Sequence, residues 1–348
     1  MPNEFQPDTL EEFIGQEPLI RQLRVEIAAA AIQHRAVRSM ILAGPGGLGK
    51  SALGRILSNT CNDEDPIVLM GKQLTHAKLS YALLDIKSDG YDRHGYPVER
   101  TKMKFPFIII EECEAVPREI WELLHPVLEP DGDGRRIFVG CSNTGEIVPL
   151  WIREHTMIFC TNYLGELIKN NRATFSRVSL QWTFSTYSTE EIERLLSQYA
   201  SGVIYMDVDD DAIAVLAARS NGMPRTALNT LHRAWDYVTS LGQDVITRDL
   251  MIQALELAGI NENGLDPAMM SYLQMLSNSP TGRMSLQSLA ATLGEDATTL
   301  TEIVEPVLTK RGFVVRSSGG REITLAGRKA LSQSATRAAD PFWNNSAL

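Results

Sequence analysis

No uninterrupted apolar run in this chain of 348 residues is long enough to span a bilayer. Nor does the start, Met1-Pro2-Asn3-Glu4, offer a basic region feeding an apolar stretch. Together these absences make the cytoplasm the expected location and leave no role for a membrane partner. Cysteine is scarce: Cys61, Cys113, Cys141 and Cys160 lie far apart without a C-x-x-C pair. That spacing argues against a zinc site and a disulfide framework, and for reduced, buried thiols. A basic surplus is missing as well. Lys and Arg number 33 against 43 Asp and Glu, a net charge of −10, which excludes a surface coated in phosphate-binding charge but not a local basic patch.

What the chain does have is apolar content, 44% of its residues, enough for a large core divided into two or three domains. Met40-Ile41-Leu42-Ala43 is a short apolar run entering a glycine-rich turn, and helical spacing follows from Ser51 to Leu57. Two further runs, Phe107 to Ile110 and Thr156 to Cys160, end in Glu111-Glu112 and Thr161-Asn162. Continuous apolar runs separated by helical patterns predict buried parallel strands in an α/β domain.

The turn after Ala43 reads Gly44-Pro45-Gly46-Gly47-Leu48-Gly49-Lys50-Ser51, a G-x-x-x-x-G-K-S loop between a strand and a helix. Its glycines let backbone N–H groups surround phosphates at a helix N-terminus. Lys50 would neutralise the β- and γ-phosphates, and Ser51 would offer a hydroxyl to magnesium. Glu111 and Glu112 close the next apolar strand, where adjacent carboxylates can hold magnesium and orient the attacking water respectively. Asn162, or alternatively Thr161, ends a third strand and could position the same water.

From Thr189 to about Ala258 the pattern is helical throughout, with a cap at Ser188 or Thr189 and an interruption at Asn221-Gly222-Met223-Pro224. Beyond Asp266, Leu286, Leu289 and Leu293 mark one amphipathic helix, and Leu300, Ile303, Val307 and Leu308 mark another. Two strands, Phe313 to Arg316 and Glu322 to Leu325, flank Ser317-Ser318-Gly319-Gly320 and complete a winged helix. The tail lacks periodicity and is expected to be unstructured, with Phe342 and Trp343 as a possible docking motif.

With these residues in place, the chain resembles the RuvB family of AAA+ motors over nearly its whole length. The resemblance is carried by Leu10 to Gln16, by the Gly47-Leu48-Gly49-Lys50 core, by Glu122 to Glu129, by Gly222-Met223-Pro224-Arg225, and by Ile303 to Leu308 with Gly312-Phe313. It implies an AAA+ core at 1–182, a helical lid at 183–258, a winged helix at 259–332 and a disordered tail at 333–348. It also implies ATP and Mg2+ as cofactors, with Ile14 and Gly15 on the adenine side, Ala52 beside Ser51, and Pro224 with Arg225 at the γ-phosphate from the lid of the same subunit. Arg177, in Phe175-Ser176-Arg177-Val178, matches the arginine finger given in trans to a neighbour, with Arg172 in reserve. The expected assembly is a ring, hexameric with nucleotide, that translocates duplex DNA and drives Holliday junction branch migration.

Three departures from the family pattern stand out. Glu111 replaces the usual Asp, and the segment from Lys72 to Phe105 is longer and carries Tyr91 to Tyr96, an exposed loop or a pore contact. Arg136 to Ile152 corresponds to the hairpin with which the family engages RuvA, and here its second arm has Ile147, Val148, Leu150 and Trp151. Those residues would either face a RuvA-like or other partner or pack into the core. In the winged helix, Glu295, Asp296, Glu302 and Glu305 would repel phosphate, so sequence reading of bases is not expected. Arg316 and Arg321, with Lys310 and Arg311, are the expected phosphate contacts, weak singly and additive around a ring. Two rival functions remain open on the sequence: an adaptor ATPase of a mobile element or defence system that assembles on DNA and recruits an effector, and a clamp-loader-like subunit suggested by Ser176-Arg177. A protein unfoldase is more remote.

Overall fold

The computed structural model describes residues 7–62, 64–85, 105–129, 136–141, 147–152, 154–204, 206–317 and 319–337. The chain divides into two compact units, Met1–Tyr187 and Ser188–Leu348. Tyr91 to Tyr96, Phe342 and Trp343 lie outside the described residues.

The first unit runs α1 (Glu17–Gln33), β1 (Met40–Ala43), α2 (Lys50–Asn62), β2 (Ile67–Met70), α3 (His76–Asp85), β3 (Phe107–Glu111), α4 (Arg118–Leu128), β4 (Arg136–Cys141), β5 (Ile147–Ile152), β6 (Thr156–Thr161), α5 (Leu164–Asn170), α6 (Arg172–Phe175) and β7 (Leu180–Thr183). Five strands form one parallel sheet in the order β2-β3-β6-β1-β7. The apolar runs of β1, β3 and β6 are buried because helices cover the sheet. On one face Ile108, Ile110, Met157 and Phe159 pack with α4 and α6, where the rings of Trp121, Phe159 and Phe175 meet at centroid distances of 5.0–6.0 Å. On the other face Gly54 lets α2 approach closely, since a Cβ there would lie 2.7 Å from Ile109. The order places β1 between β6 and β7, so that the loop leaving it opens at the carboxyl edge of the sheet beside the end of β6, with β3 next in line, the usual ligand position in such folds. The hairpin β4–β5 pairs separately, from Arg136↔Ile152 to Cys141↔Ile147.

A buried carboxylate ties α1 to the approach to β1. Glu26, 4% exposed, accepts from Arg35 Nη1 at 2.8 Å and from Arg38 Nη2 at 2.6 Å. Burial alone would raise its pKa, but the hydrogen bonds from Arg38 and Arg35 outweigh that and hold it at about 2.

The second unit begins with a helical layer: α7 (Thr189–Val203), β8 (Asp207–Val208), α8 (Asp210–Arg219), α9 (Pro224–Ser240), β9 (Val245–Ile246) and α10 (Arg248–Leu257). Ser188 caps α7 in a full capping box with Glu191. There follow α11 (Pro267–Asn278), β10 (Arg283–Met284), α12 (Leu286–Leu293), α13 (Ala297–Thr299), α14 (Glu305–Lys310), β11 (Val314–Ser317), β12 (Gly320–Ile323) and α15 (Leu325–Arg337). This is a helix-turn-helix with a wing, packed on Leu273, Leu276, Leu289, Leu300, Leu308 and Val314.

Four details differ from the sequence reading. The span from Thr189 to Ala258 is not helical throughout, since the two-residue strands β8 and β9 pair within it. The wing strands are Val314–Ser317 and Gly320–Ile323, because Ser317 pairs with Gly320 and the turn is correspondingly tight. Residues 333–337 are helical, since α15 is anchored by buried Ala330 and Leu331 and runs on to Arg337. Ile303 is 61% exposed. Pro306 has no N–H to continue the α-ladder, and Leu300–Val304 forms a π-turn in which Glu305 N–H donates to Leu300 O. That extra residue rotates Ile303 outward while Leu300 and Val304 stay in the core.

Candidate nucleotide site

The loop after β1 is built by backbone conformations that side chains disfavour. Gly44, Gly47 and Gly49 have φ of 138°, 82° and 93°, and a Cβ on Gly44 would meet Phe184 O at 2.9 Å. Lys50 opens α2 and is buried. Its Nζ donates to Gly44 O at 2.7 Å, Pro45 O at 2.9 Å and Asn162 Oδ1 at 3.0 Å. The phosphate loop is therefore fastened to the end of β6. Asn162 receives this bond, whereas the Thr161 hydroxyl accepts from Tyr163 N at 3.0 Å. Of the two residues that the sequence offered, Asn162 is the one whose side chain meets Lys50.

Ile14 and Gly15 are drawn to the loop from far along the chain. Gln16 adopts φ 56° and clasps the Ser185 backbone, donating to its carbonyl at 2.7 Å and accepting from its N–H at 3.1 Å. The Tyr187 ring lies against Gly15, and its hydroxyl lies by Gly49 and donates to Leu48 O at 3.2 Å. The Phe13 ring also packs against Gly49. Ser51 and Ala52 occupy the first turn of α2, which contains no acidic residue to compete with an anion.

Glu111 ends β3 half-buried, and Glu112 follows in a left-handed conformation with φ 48°. That turn is pressed by Gly71, where a Cβ would lie 2.3 Å from Glu112 O. The next β3–β6 register position after Ile110↔Phe159 brings Glu111 beside Cys160. Burial foremost, then the Glu111 charge, pushes the Cys160 thiol well above its usual pKa. Glu114 accepts from Asn162 N at 3.3 Å. Gly71, Cys160, Glu114 and Tyr187 were not read from the sequence as part of the site. Each acts through a partner distant in sequence, and only the glycine after a short apolar run left any local signal.

A hydroxyl at Ser51 and a carboxylate at Glu111 are hard oxygen donors of the kind magnesium takes, usually one or two from protein beside phosphate and water. Among the described residues no group of three His, Cys, Asp or Glu is disposed to hold a metal.

The remaining expected site residues stand on other elements. Arg177 follows α6, and its Nε donates to Glu129 Oε2 at 2.6 Å while Nη1 donates to Ala173 O. Beside it His125 Nε2 meets Thr174 Oγ1 at 2.6 Å, and burial foremost, then the Arg177 charge, lowers the histidine pKa. Arg172 is exposed at the start of α6. Pro224 and Arg225 form the first turn of α9 in the second unit, the proline buried and the arginine exposed. Side chains of Ile147, Val148, Leu150 and Trp151 lie outside the described residues, but Ile152 packs in the core.

The winged helix revises the charge reading. Glu305 is 0% exposed and is not a surface charge repelling phosphate. It accepts from Tyr272 Oη at 2.8 Å, Arg321 Nε at 2.8 Å and Arg316 Nε at 2.9 Å. Burial and this carboxylate push the Tyr272 hydroxyl far above its usual range. Arg321 is only 19% exposed, against 41% for Arg316. Arg311 donates from Nε to Asn221 Oδ1 at 3.0 Å and from Nη2 to Ala218 O at 3.2 Å. Lys310 has its pKa lowered by partial burial and then by the Arg311 charge.

Comparison with known proteins gives three matches in chain order. A RuvB P-loop domain matches residues 5–78, a RuvB AAA lid domain 187–261, and a RuvB C-terminal winged helix domain 262–332, together more than half of the chain. The Holliday junction branch migration complex subunit RuvB of Kosmotoga olearia is 28% identical over 341 residues, covering 97% of this chain and 93% of that protein. Its counterpart in Thermotoga maritima is 27% identical, with 93% and 91% covered. The solved Thermotoga maritima RuvB branch migration motor superposes with a TM-score of 0.77 at 26% identity, covering 94% of this chain and 98% of that one. An Aeropyrum pernix ORC1 protein shares the fold alone, at 18% identity and a TM-score of 0.52.

Proposed function

The chain belongs to the RuvB family of AAA+ P-loop ATPases, and on that premise we propose that it is an ATP-driven motor that translocates duplex DNA and moves Holliday junctions as a ring. The observation that carries this reading is the Lys50–Asn162 bond, which joins the phosphate loop to the strand end beside Glu111 within a chain holding all three RuvB domains in order. The adaptor and clamp-loader alternatives gain no comparable support from the relatives.

In this reading the N–H groups at the start of α2 and the Lys50 ammonium hold the triphosphate. Ser51 and Glu111 are the residues that would hold magnesium, which when bound supplies charge neutralisation across the β- and γ-phosphates. Glu112 orients the attacking water and takes its proton, while Asn162 fixes that water from the neighbouring strand. Arg225 senses the γ-phosphate, and Arg177 reaches the nucleotide of the adjacent subunit.

Phosphate contact to DNA falls to Arg316 and Lys310. A guanidinium carries five N–H donors, so Arg316 can keep Glu305 and still turn donors outward, whereas Arg321 serves the wing from inside. The hairpin β4–β5 is the proposed docking site for a RuvA-like or other partner.

The test is a pair of variants. Lys50→Ala loses nucleotide binding. Glu112→Gln retains it but hydrolyses about a hundredfold more slowly, the scale of a lost general base. Normal turnover in Glu112→Gln contradicts the assignment.

A further inference from the structure

The turn between α8 and α9 carries Arg225 two residues beyond it and is held from three sides. Ser220 closes α8 through its hydroxyl on Ala217 O at 2.8 Å, and Asn221 then adopts φ 58°, a left-handed conformation uncommon outside glycine. The Asn221 amide donates to Gly264 O at 2.7 Å, in the segment leading to α11. Gly264 approaches so closely that a Cβ on it would lie 2.5 Å from Arg219 O. The Asn221 carbonyl oxygen accepts from Arg311, whose second bond ends on Ala218 O in the last turn of α8. Arg311 directly follows α14, and α14 begins with Glu305, the anion holding both wing arginines.

A continuous chain of short contacts therefore leads from the first turn of α9 to the wing. It passes through Asn221, Arg311, one short helix and Glu305. The geometry points to Asn221 and Arg311 as a coupling pair that transmits movement of the Arg225 turn to the DNA-facing wing, with Arg311 acting as a positioning residue instead of a phosphate contact. The inference rests on the proposed role of Arg225. The chemistry of the pair suits such coupling, because a guanidinium bound to a side-chain amide and a helix-end carbonyl makes both bonds in one plane and so transmits direction as well as force.

The experiment compares wild type, Asn221→Gly, Arg311→Ala, the double variant and Arg225→Ala in the full chain. It measures ATPase rate with and without a synthetic duplex, duplex affinity across a salt titration, and thermal unfolding. Glycine keeps the left-handed turn and removes only the amide. Asn221→Gly is expected to hydrolyse ATP within about twofold of wild type without DNA, yet to lose about fivefold to tenfold of the stimulation by duplex, the range of a typical coupling. Arg311→Ala should lose the same stimulation while keeping the wild-type salt slope, and the double variant should be no worse than either single one.

Three results overturn the proposal. One is loss of duplex affinity with a flatter salt slope in Arg311→Ala alone, which makes it a phosphate contact. Another is lowered thermal stability with stimulation intact, which makes the pair merely structural. The third is a wild-type chain showing no linkage between ATP and DNA. Arg225→Ala reports separately: normal hydrolysis in that variant removes the sensor assignment whatever the coupling pair does.

Discussion

At the scale of single residues, the site depends on groups that hold the reacting ones in place. Glu111 carries one methylene more than the aspartate usual in this family, and its charge adds to burial in raising the pKa of the Cys160 thiol. Glu112 sits in a strained turn that only a glycine at position 71 can abut. We therefore expect Gly71→Ala to lower kcat by about tenfold or more while nucleotide affinity changes little. The added methyl displaces the Glu112 carbonyl but touches nothing on the phosphate loop, and a displacement near 1 Å at reacting groups costs on this order. Stopped-time hydrolysis and fluorescent-nucleotide binding measure the two effects, and an unchanged kcat would mean that the turn tolerates the shift. The phosphate loop itself was legible in the sequence because its logic is local: glycines, lysine and serine are consecutive. Gly71 and Cys160 were not, because their meaning comes from register across the sheet. Asn162 and Thr161 could be told apart only by seeing which of them meets Lys50.

At the scale of elements, the winged helix shows where counting charges along a sequence misleads. Glu305 reads as one more acid on an acidic helix, and Arg316 and Arg321 as a pair of free cations on a wing. In the fold the arginines face each other across the β11–β12 register, and the buried carboxylate lies between them. Like charges directly opposite destabilise a hairpin unless something offsets them. Glu305→Ala should accordingly destabilise the second unit by about 3–5 kcal/mol, as expected when one partner of a buried pair is removed. Arg316→Ala, at a half-exposed position, should cost no more than about 1 kcal/mol, and should lower the salt slope of duplex binding by about one. Chemical denaturation and a salt titration distinguish these outcomes. Equal losses of stability from both substitutions would contradict the hub role of Glu305. Strands β1, β3 and β6 and the helices from Thr189 onward, by contrast, were plain from periodicity, because buried parallel strands and amphipathic helices each leave a pattern of their own, whereas the partly exposed β2 and β7 left none. The π-turn at Leu300–Val304 was hidden, since Pro306 marks it only once the helix around it is known.

At the scale of the whole molecule, the proposal concerns a ring in which each nucleotide is completed by a neighbour. Arg177 bonds Glu129 and Ala173 on its own chain. If it acts in trans, a mixture of Lys50→Ala and Arg177→Ala chains regains hydrolysis that neither has alone, because some interfaces then pair an intact loop with an intact arginine. A mixture as inactive as its parts would place the arginine elsewhere. Domain order and family were legible at this scale because they repeat in motif after motif along the chain, while the assembly was not, since a contact between copies leaves no mark on one chain's core. The central claim is that hydrolysis at Lys50 and Glu112 moves branched DNA. Its most direct measurement is strand separation of a labelled synthetic four-way junction by the wild-type chain, with and without ATP, beside Glu112→Gln. The account predicts ATP-dependent conversion of the junction to duplex products by wild type and none by Glu112→Gln, although both bind the junction. Binding of the junction by the wild-type chain with brisk ATP hydrolysis but no conversion would contradict it.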